Sequence, residues 1–340
     1  MLQYSQYLKE SSIECSFSSF LNSKDYLSIY NKKDAGVLRK SKAMIHGTSH
    51  QLKTAFNTDS YDAVVVYREA MLWGGPWIER HFVKKGIPVI FDFDDAVWLA
   101  VRSEIGINPY IKRLLKTEKK YDKIMKSSTH VIAGNEYLAQ HARKLNRKVT
   151  VIPTVVDTEF YKPTAGKPDK NKTVIGWIGS GSTSEYLRLL DNVWRRLPGN
   201  CEVRFIGGRY GTAAMEARTI PWSLDTEIKE LEAFDVGIMP LPNDEWSKGK
   251  CGLKALQYMA MGIPCVASPV GVNTEIIQDG VNGMLAKDEK EWIEKLSLLL
   301  EDPALRERLG RAGRKTVEER YSVKAWAPVY LDTINHDAAS

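Results

Sequence analysis

Residues 248–283 read KGKCGLKALQYMAMGIPCVASPVGVNTEIIQDGVNG, and this stretch holds the pattern that the rest of the chain repeats. Gly249 and Gly252 stand directly before an apolar-periodic run that predicts a helix over 252–261. A Gly-Ile-Pro turn then leads into a short apolar strand over 264–267. A helix followed at once by a continuously apolar strand is typical of a parallel sheet with helices on both faces.

The same alternation extends outward in both directions. In the second half, strands are predicted at Val174–Ile178, Val203–Ile206, Val236–Met239 and Pro264–Ala267, with helices near 183–197, 223–232, 252–261, 288–301 and 303–320. In the first half, strands are predicted at Ala63–Tyr67, Ile87–Phe91, His130–Ala133 and Val149–Ile152, with helices near 2–10, 36–56 and 108–127. The pattern predicts an α/β protein with two Rossmann-like, doubly wound parallel-sheet domains.

Domain limits follow from composition. A chain of 340 residues is long enough for two such domains. Pro163 and Pro168 fall in a charged segment that predicts a linker over 158–172, between domains at 1–157 and 173–320. A last helix over 323–335 follows a second domain that is already complete. In such folds ligands bind in a cleft at the carboxyl ends of the strands.

Composition narrows the class of protein. With 43% hydrophobic and 26% charged residues, the chain has the balance of a soluble globular protein. Its four cysteines form no CxxC pair, which favours a reducing cytoplasm and argues against structural zinc. Residues 1–158 carry 24 Lys and Arg against 16 Asp and Glu, a net charge of +8, whereas residues 159–340 carry 24 against 26. The basic half suggests an anionic partner: a membrane surface, a nucleic acid or a phosphorylated substrate.

The start of the helix at 252–261 has the residues of an anion site. Gly249 and Gly252 allow backbone N–H groups to approach a ligand closely, and a helix N-terminus favours negative charge. Lys250 precedes the helix, and Lys254 lies one turn inside it. Two ammonium groups at one helix N-terminus suit a diphosphate. The alternative is a solvated, lysine-rich loop.

The run GSGSTS at 179–184 follows the strand Val174–Ile178 and is a second candidate phosphate loop. It has no Walker lysine and no GxGxxG register, which disfavours ATP hydrolysis and NAD binding. A plain capped turn between strand and helix is the alternative.

Polar residues also follow the strands of the first half. Asp92, Asp94 and Asp95 come after the strand Ile87–Phe91 and could bind a metal, act as a base or cap the next segment. Arg68-Glu69 and Asn135-Glu136 occupy equivalent positions after two other strands. Each pair could face a ligand or stabilise its own loop by hydrogen bonds.

The predicted helix at 110–127 is strongly basic. Its apolar stripe is expected to face the core, and its basic face to be solvated or to contact anionic lipid headgroups. The basic residues are Lys112, Arg113, Lys116, Lys119, Lys120, Lys123 and Lys126. The helix lacks aromatic interleaving, so nucleic-acid binding is disfavoured.

An ordered set of motifs resembles glycosyltransferase family 4, whose members are retaining enzymes of the GT-B fold. The motifs are IPTVVD at 152–157, IGWIG at 175–179, FDVGIMPL at 234–241, KCGLK at 250–254, QYMAMGIP at 257–264 and SPVG at 268–271, followed by Glu275, Asp279-Gly280 and Asn282-Gly283. With the Asp92–Asp95 cluster and Trp98, the resemblance spans roughly residues 60–325.

The resemblance implies transfer of a hexose-type sugar from a nucleotide diphosphate to a saccharide or lipid-linked acceptor, with no metal and no cofactor. It suggests bacterial surface polysaccharide or glycolipid synthesis in the cytoplasm or at the inner face of the membrane. Donor binding falls on Gly179, Ser180, Lys250, Gly252, Leu253, Lys254 and Gln257. Lys250 and Lys254 would act on the leaving group, and Asp94 would face the reacting sugar. Acceptor-side candidates are Arg68, Glu69, Asp95 and Asn135. The final helix would cross back to the first domain.

The chain departs from the family pattern in three places. The family's two glutamates, which have seven residues between them, fall on Gly249 and Gln257. The usual Gly-Arg after the first strand of the second domain is replaced by Gly179-Ser180. A branch of the family with Lys-Cys-Gly-x-Lys shares this exchange. Finally, 2–10 already resembles the family's first helix and Ile13–Phe17 its second strand, so we expect an opening strand and Gly-rich loop to be missing.

Two further functions remain open at this point. The absent glutamate and the expected loss of a strand favour a non-catalytic nucleotide-sugar-binding subunit or a degenerate copy. A GT-B-fold sugar epimerase would turn over the donor without an acceptor.

Overall fold

The computed structural model describes residues 2–22, 25–26, 36–57, 61–99, 119–164, 172–181, 183–198, 201–208, 210–211 and 217–338. The chain divides into two compact units. The first comprises Met1–Ile152 with Val329–Ser340, and the second comprises Pro153–Pro328. Each unit contains its own all-parallel sheet, so the predicted α/β architecture with two parallel-sheet domains is confirmed.

The first unit has a four-stranded sheet in the order β1-β2-β3-β4. The strands are β1 (Val64–Tyr67), β2 (Val89–Phe93), β3 (His130–Ala133) and β4 (Val149–Val151). The helices are α1 (Ser5–Glu10), α2 (Val37–Phe56), α3 (Trp77–Lys84), α4 (Lys120–Ser127) and α5 (Glu136–Ala142). Apart from the half-buried Asp92 and His130, the residues of the central strands β2 and β3 are apolar and buried, as a sheet covered by helices requires.

Strand β2 extends two residues beyond its predicted end. Asp92 lies within the strand, opposite Ile132 of β3, rather than after it. The alternation of side chains across the sheet explains the difference. Phe91 and Phe93 share one face, where their rings stack 5.3 Å apart, and Asp92 occupies the other face. An acidic residue therefore interrupted the apolar run without ending the strand.

The strand predicted at Ile13–Phe17 does not form, so that prediction was wrong. The alternation of Ile13, Cys15 and Phe17 suggested one buried face, yet these residues are not buried and the Phe17 side chain is 49% exposed. Instead, the Ile13 amide donates to the Leu8 carbonyl at 2.9 Å and closes the end of α1.

The second unit has a six-stranded sheet in the order β10-β9-β8-β5-β6-β7. Its strands are β5 (Thr173–Ile178), β6 (Cys201–Ile206), β7 (Ala217–Ile220), β8 (Val236–Met239), β9 (Cys265–Ala267) and β10 (Met284–Leu285). Its helices are α6 (Asp191–Trp194), α7 (Glu227–Glu232), α8 (Glu245–Lys248), α9 (Leu253–Ala260), α10 (Asn273–Ile276), α11 (Glu289–Glu301), α12 (Pro303–Arg320) and the start of α13 (Val323–Ala338).

Helix α9 is the most deeply packed helix near the candidate site. A Cβ atom added at Gly237 of β8 would lie 2.3 Å from the Tyr258 ring, so glycine lets α9 approach the sheet. On the other side of α9, a Cβ at Gly310 of α12 would lie 2.1 Å from the Gly262 carbonyl oxygen. These contacts fix α9 between the sheet and α12, and with it the side chains on its first turn.

Several elements of the second unit differ from prediction, among them the short helices α8 and α10, which were not predicted. The helix predicted at 183–197 is a 3₁₀ helix over Ser184–Leu190 followed by the short α6. Strands β7 and β10 were not predicted. β7 lies at the sheet edge with Ala217, Arg218 and Thr219 exposed, so it lacks a buried strand's apolar run. β10 has only two residues.

A helix that crosses a membrane needs about 20 predominantly apolar residues. Within the described ranges, none of the helices is both long enough and apolar enough to cross a membrane.

Candidate functional site

The loops after β5, β6 and β7 meet at one edge of the second unit's sheet. The Gly179 amide donates to the Ile206 carbonyl at 3.0 Å, and the Gly207 amide donates to the Ile220 carbonyl at 2.9 Å. Gly207 has a φ of +86°, and a Cβ there would lie 2.5 Å from the Gly179 carbonyl oxygen. Glycine is therefore required for the two loops to approach this closely.

Helix α9 brings Lys254 to the same edge. Gly252 caps α9 with a φ of +74°, and a Cβ there would lie 2.3 Å from the Ile276 side chain. The Lys254 ammonium lies 5.6 Å from the centre of the Trp177 ring. A Cβ at Gly179 would lie 2.7 Å from Lys254 Cε. Gly179 and Lys254, predicted from separate motifs, thus lie side by side.

Lys250 lies on the approach to α9. Its ammonium is 4.9 Å from the centre of the Trp246 ring, within cation–π distance. Gly271 packs against the backbone of Lys248, two residues before Lys250, because a Cβ at Gly271 would lie 2.8 Å from the Lys248 carbonyl oxygen. Leu253 is exposed on the first turn of α9. The N-terminus of α9 and two lysines therefore give this region a positive potential suited to an anion.

The candidate phosphate loop at 179–184 is partly organised by its own hydrogen bonds. Ser180 is exposed, and its carbonyl oxygen accepts from the amides of Thr183 and Ser184, each at 3.2 Å. The Ser184 hydroxyl donates to the Gly181 carbonyl at 2.7 Å. Ser182 lies outside the described residues. Gly179 and Ser180 thus stand at the start of a capped turn that leads into the 3₁₀ helix.

Gln257 belongs to a buried polar network that sequence reasoning missed. Its amide nitrogen donates to the Tyr161 hydroxyl at 2.8 Å and to Glu227 Oε1 at 2.9 Å. Glu227 also accepts from the Tyr161 hydroxyl and the Trp222 indole nitrogen, each at 2.5 Å. Burial and the hydrogen bond to Glu227 raise the pKa of Tyr161, so it remains a neutral donor. One buried carboxylate therefore orients three side chains from three segments.

Trp222 extends this network to the edge of the sheet. It follows β7, its side chain is 49% exposed, and its Cβ lies 3.2 Å from where a Gly207 Cβ would be. The bond to Glu227 fixes the indole's orientation. Because β7 was not predicted, nothing in the sequence marked Trp222 as a residue at a strand end.

The first unit brings Arg68, Asp94 and Asp95 together. Arg68 Nε donates to Asp94 Oδ1 at 2.8 Å, and Arg68 Nη2 donates to Asp95 Oδ2 at 2.5 Å. The Tyr67 hydroxyl donates to Asp94 Oδ2 at 2.6 Å. Arg68 adopts a φ of +61°, an uncommon conformation for a residue with a side chain. Both oxygens of Asp94 thus accept hydrogen bonds, one from Arg68 and one from Tyr67.

Asp92 lies beside this cluster, within β2. Burial, with a smaller contribution from the nearby Asp94 charge, raises the pKa of Asp92 to about 7, and the Arg68 charge opposes that shift.

Two other acceptor-side candidates have internal partners. Glu69 accepts from the Lys120 ammonium at 2.8 Å, and the Lys120 side chain is only 3% exposed. Asn135 caps α5 by accepting from the Leu138 amide at 2.8 Å. Lys120 is therefore not on a solvated basic face as predicted, because it pairs with Glu69 inside the unit. Residues 110–118 of that predicted helix lie outside the described ones.

In the described part of the chain, no group of three or more His, Cys, Asp or Glu side chains is arranged to hold a metal ion. Metal independence nonetheless stays a prediction.

Comparison with known proteins then relates this geometry to a family. Residues 172–302 match the family described as Glycosyl transferases group 1. Within the match lie Gly179, Lys250, Lys254, Gln257 and the network residues Trp222 and Glu227. The part of the chain that builds the positive site is thus also the part that resembles these glycosyl transferases.

Two curated relatives agree with this match over parts of their length. The chain is 31% identical over 96 residues to N-acetyl-alpha-D-glucosaminyl L-malate synthase of Bacillus anthracis, covering 26% of this chain and 25% of that protein. It is 28% identical over 211 residues to sulfoquinovosyl transferase SQD2 of Arabidopsis thaliana, covering 50% of this chain and 39% of that protein. The matches thus span well under half of each relative's length.

Solved glycosyl transferase structures share the fold over both units. Sucrose-phosphate synthase of Thermosynechococcus elongatus superposes with a TM-score of 0.66 at 15% identity, covering 88% of this chain and 79% of that one. Anabaena HepE, solved with UDP and glucose, gives a TM-score of 0.65 at 15% identity, covering 85% and 82%. The fold is therefore that of GT-B glycosyltransferases, as the sequence predicted.

Proposed function

We propose that the chain is a glycosyltransferase that transfers a sugar from a nucleotide-diphosphate sugar to an acceptor hydroxyl. The observation that carries the proposal is the contact between Gly179 and Lys254 beside the N-terminus of α9. It joins both candidate phosphate loops into one positive site. The group 1 glycosyl transferase match over residues 172–302 supports this use of the site.

In the proposed reaction, the bond between the anomeric carbon and the diphosphate oxygen breaks. A bond to the acceptor oxygen forms, and the acceptor hydroxyl loses its proton. Negative charge grows on the diphosphate as it leaves, so charges fixed in advance lower the barrier. We assign this role to Lys250, Lys254 and the first amides of α9, with Gly252 and Leu253 shaping the approach.

We further propose where the nucleoside binds. The exposed, oriented Trp222 ring offers a flat apolar surface for a base, beside Gly179 and Gly207. Gln257 directs its amide nitrogen at Glu227 and Tyr161, so we assign its amide oxygen to a ribose hydroxyl. A uridine nucleotide is the first one to test, because HepE was solved with UDP.

The finer features of the reaction rest on resemblance. We propose retention of anomeric configuration, a hexose-type sugar and no metal, since lysines and a helix N-terminus can balance the diphosphate charge. We propose a saccharide or lipid-linked acceptor near Arg68, Asp94 and Asp95, in bacterial surface polysaccharide or glycolipid synthesis. A cytoplasmic location, at the inner membrane face, accompanies that proposal.

Replacing Lys250 tests the proposed role directly. Lys250→Ala should lower kcat by about 10²–10³ because one preorganised charge at the leaving group is lost. Turnover is measured by release of UDP from UDP-sugars with a panel of acceptors. Lys290→Ala, an exposed lysine of α11, is the matched control and should keep full activity. Near-normal turnover in Lys250→Ala would remove this lysine from the mechanism.

A non-catalytic nucleotide-sugar-binding subunit is the second candidate function. Gly249 stands where the resemblance places a donor-contacting glutamate, and this absence favours it. Calorimetry with UDP-sugars, paired with assays of transfer and of donor hydrolysis, separates the functions. Binding without any turnover would support the binding subunit. Donor conversion without an acceptor would support an epimerase.

A further inference from the structure

Helix α2 of the first unit presents an apolar stripe to solvent. Leu38, Ile45 and Leu52 recur at seven-residue intervals, and Phe56 follows one turn later. Such spacing places all four on one side of a helix. Their side chains are 87%, 70%, 37% and 62% exposed, respectively. Exposed large apolar side chains that recur along one side of a helix are typical of an interaction surface.

An apolar groove runs beside the stripe. It has a volume of about 530 Å³ and is lined by Met44, Ile45, Leu52, Phe56 and Trp73, among other residues. The Trp73 indole donates to the Thr48 hydroxyl at 2.8 Å, which fixes this wall of the groove to α2. Trp77 packs edge-on against Trp73 at 5.7 Å, and its side chain is 53% exposed.

Basic residues dominate the charges of α2 and α3, and Asp25 is an acidic residue paired with α2, through His46 at 2.9 Å. Helix α2 contains Arg39, Lys40, Lys42 and Lys53 and no aspartate or glutamate. The adjacent α3 exposes Arg80 and Lys84, and its single acidic residue, Glu79, is fully buried. Leucine, isoleucine and aromatic side chains flanked by lysine and arginine are the composition of a helix that lies in a membrane interface.

We propose that this α2 face binds the surface of an anionic bilayer and that the groove takes one hydrocarbon chain from it. The lysine and arginine side chains of α2 and α3 match the negative headgroups of an anionic leaflet. The exposed Trp77 belongs to a residue type enriched at such interfaces. This inference does not depend on the donor site, and it assigns the membrane contact to α2 and α3 instead of residues 110–127.

Vesicle flotation tests the proposal. The full chain is mixed with vesicles of phosphatidylcholine alone or with about a third phosphatidylglycerol. Binding should require the anionic lipid and weaken as salt rises. Ile45→Asp with Phe56→Asp should reduce the partition coefficient at least about tenfold, because two apolar side chains no longer insert. Lys42→Glu and Lys53→Glu should each reduce it about fivefold.

Matched controls lie on α11 of the second unit. Leu298→Asp changes a half-exposed leucine, and Lys290→Glu reverses an exposed lysine. Both should partition like the unmodified chain. UDP binding is measured for every variant, separately from membrane binding, and shows that the second unit is folded. Circular dichroism of every variant shows that its helix content is unchanged. Failure of membrane binding is thereby distinguished from failure of the donor site.

A nitroxide label distinguishes the membrane from a protein partner. Ser49 lines the groove, so the label is placed by Ser49→Cys in a Cys15→Ser background, with the buried cysteines left in place. With anionic vesicles, the label should gain collisions with oxygen and lose collisions with a water-soluble nickel chelate. No change on vesicle addition would overturn the proposal. Immobilisation that depends only on protein concentration would overturn it in favour of a second copy.

Discussion

Gly179 is the residue on which the candidate donor site depends most directly. A side chain at this position would meet the Trp177 ring at 2.6 Å and Lys254 Cε at 2.7 Å. Because the end of a lysine side chain is flexible, Gly179→Ala should displace Lys254 more than it unfolds the unit. We expect affinity for UDP to fall about tenfold or more, as loss of one charged hydrogen bond to a phosphate implies.

The same loop provides the control for that substitution. Around Gly181, a Cβ would meet no atom within 4 Å, so Gly181→Ala should leave UDP affinity unchanged. Titration calorimetry measures both affinities, and thermal unfolding measures both stabilities. Equal affinities in the two variants would show that the position of Lys254 does not control binding.

The contacts of Gln257 explain why this chain has glutamine where the family resemblance places a glutamate. The amide nitrogen of Gln257 lies 2.9 Å from Glu227 Oε1, where a second carboxylate would be repelled. The network therefore already contains its acid, supplied by α7 instead of α9. Sequence reasoning identified the missing carboxylate at position 257, but it could not find Glu227, because that contact exists only after folding.

Gln257→Glu should therefore make stability depend on pH. Burial beside Glu227 would raise the folded-state pKa of one carboxyl group above its unfolded value of about 4.3. The folded state would then bind the extra proton, so stability is retained below pH 4.3 and lost as pH rises through the folded pKa. We expect a loss on the order of 1–3 kcal/mol at pH 8 and less at pH 5.

Urea unfolding at the two pH values measures this dependence. Gln278→Glu adds the same charge at an exposed position and should show little difference between pH 5 and pH 8. If Gln257→Glu behaved like that control, the Glu227 network would not be what determines the residue type at position 257.

At the scale of elements, both units contain a Gly-Ile-Pro turn between a helix and a strand, and this turn is visible in the sequence. Gly86-Ile87-Pro88 precedes β2, and Gly262-Ile263-Pro264 precedes β9. Both glycines have positive φ, +75° and +66°. In each case the glycine ends a helix and the proline prevents it from continuing. The sequence predicted both strands that follow these turns and also α9, but it did not predict α3, the helix before Gly86.

Elements decided by tertiary context were not predicted. β7 is a strand because its backbone pairs with β6, from Val203 opposite Ala217 to Ile206 opposite Ile220, although its side chains are mostly exposed. Missing β7 also meant missing Trp222, the exposed ring at its end. In the same way, Lys120 looked like part of a solvated basic face, but its partner Glu69 lies 51 residues away in sequence.

The predicted linker at 158–172 is another segment whose contacts could not be predicted from sequence. Arg314 of α12 donates to the Thr158 carbonyl at 2.9 Å and also contacts the carbonyl oxygens of Tyr161 and Ala260. One guanidinium thus joins the segment before β5, the end of α9 and α12. Prolines and charges marked that segment as a linker in the sequence, but they gave no sign that part of it is fixed to the second unit.

At the scale of the whole molecule, the proposed donor site belongs to one unit. All the residues assigned to it, from Tyr161 to Gln257, lie within Pro153–Pro328. A ligand that binds only the folded form of a unit stabilises that form by about 2.7 kcal/mol at one hundred times its dissociation constant. UDP should therefore slow amide hydrogen exchange in the second unit and leave the strands of the first unit unchanged.

Hydrogen exchange measured by mass spectrometry tests this expectation peptide by peptide. The largest effect should fall on peptides that contain Gly179, Gly207 or the first turn of α9, because their amides lie at the proposed diphosphate site. Uridine without phosphates should protect the region of Trp222 but not the start of α9. Protection by UDP that is confined to β1–β4, or equal protection of α9 by uridine and UDP, would contradict the assignment of the diphosphate to Lys250, Lys254 and the N-terminus of α9.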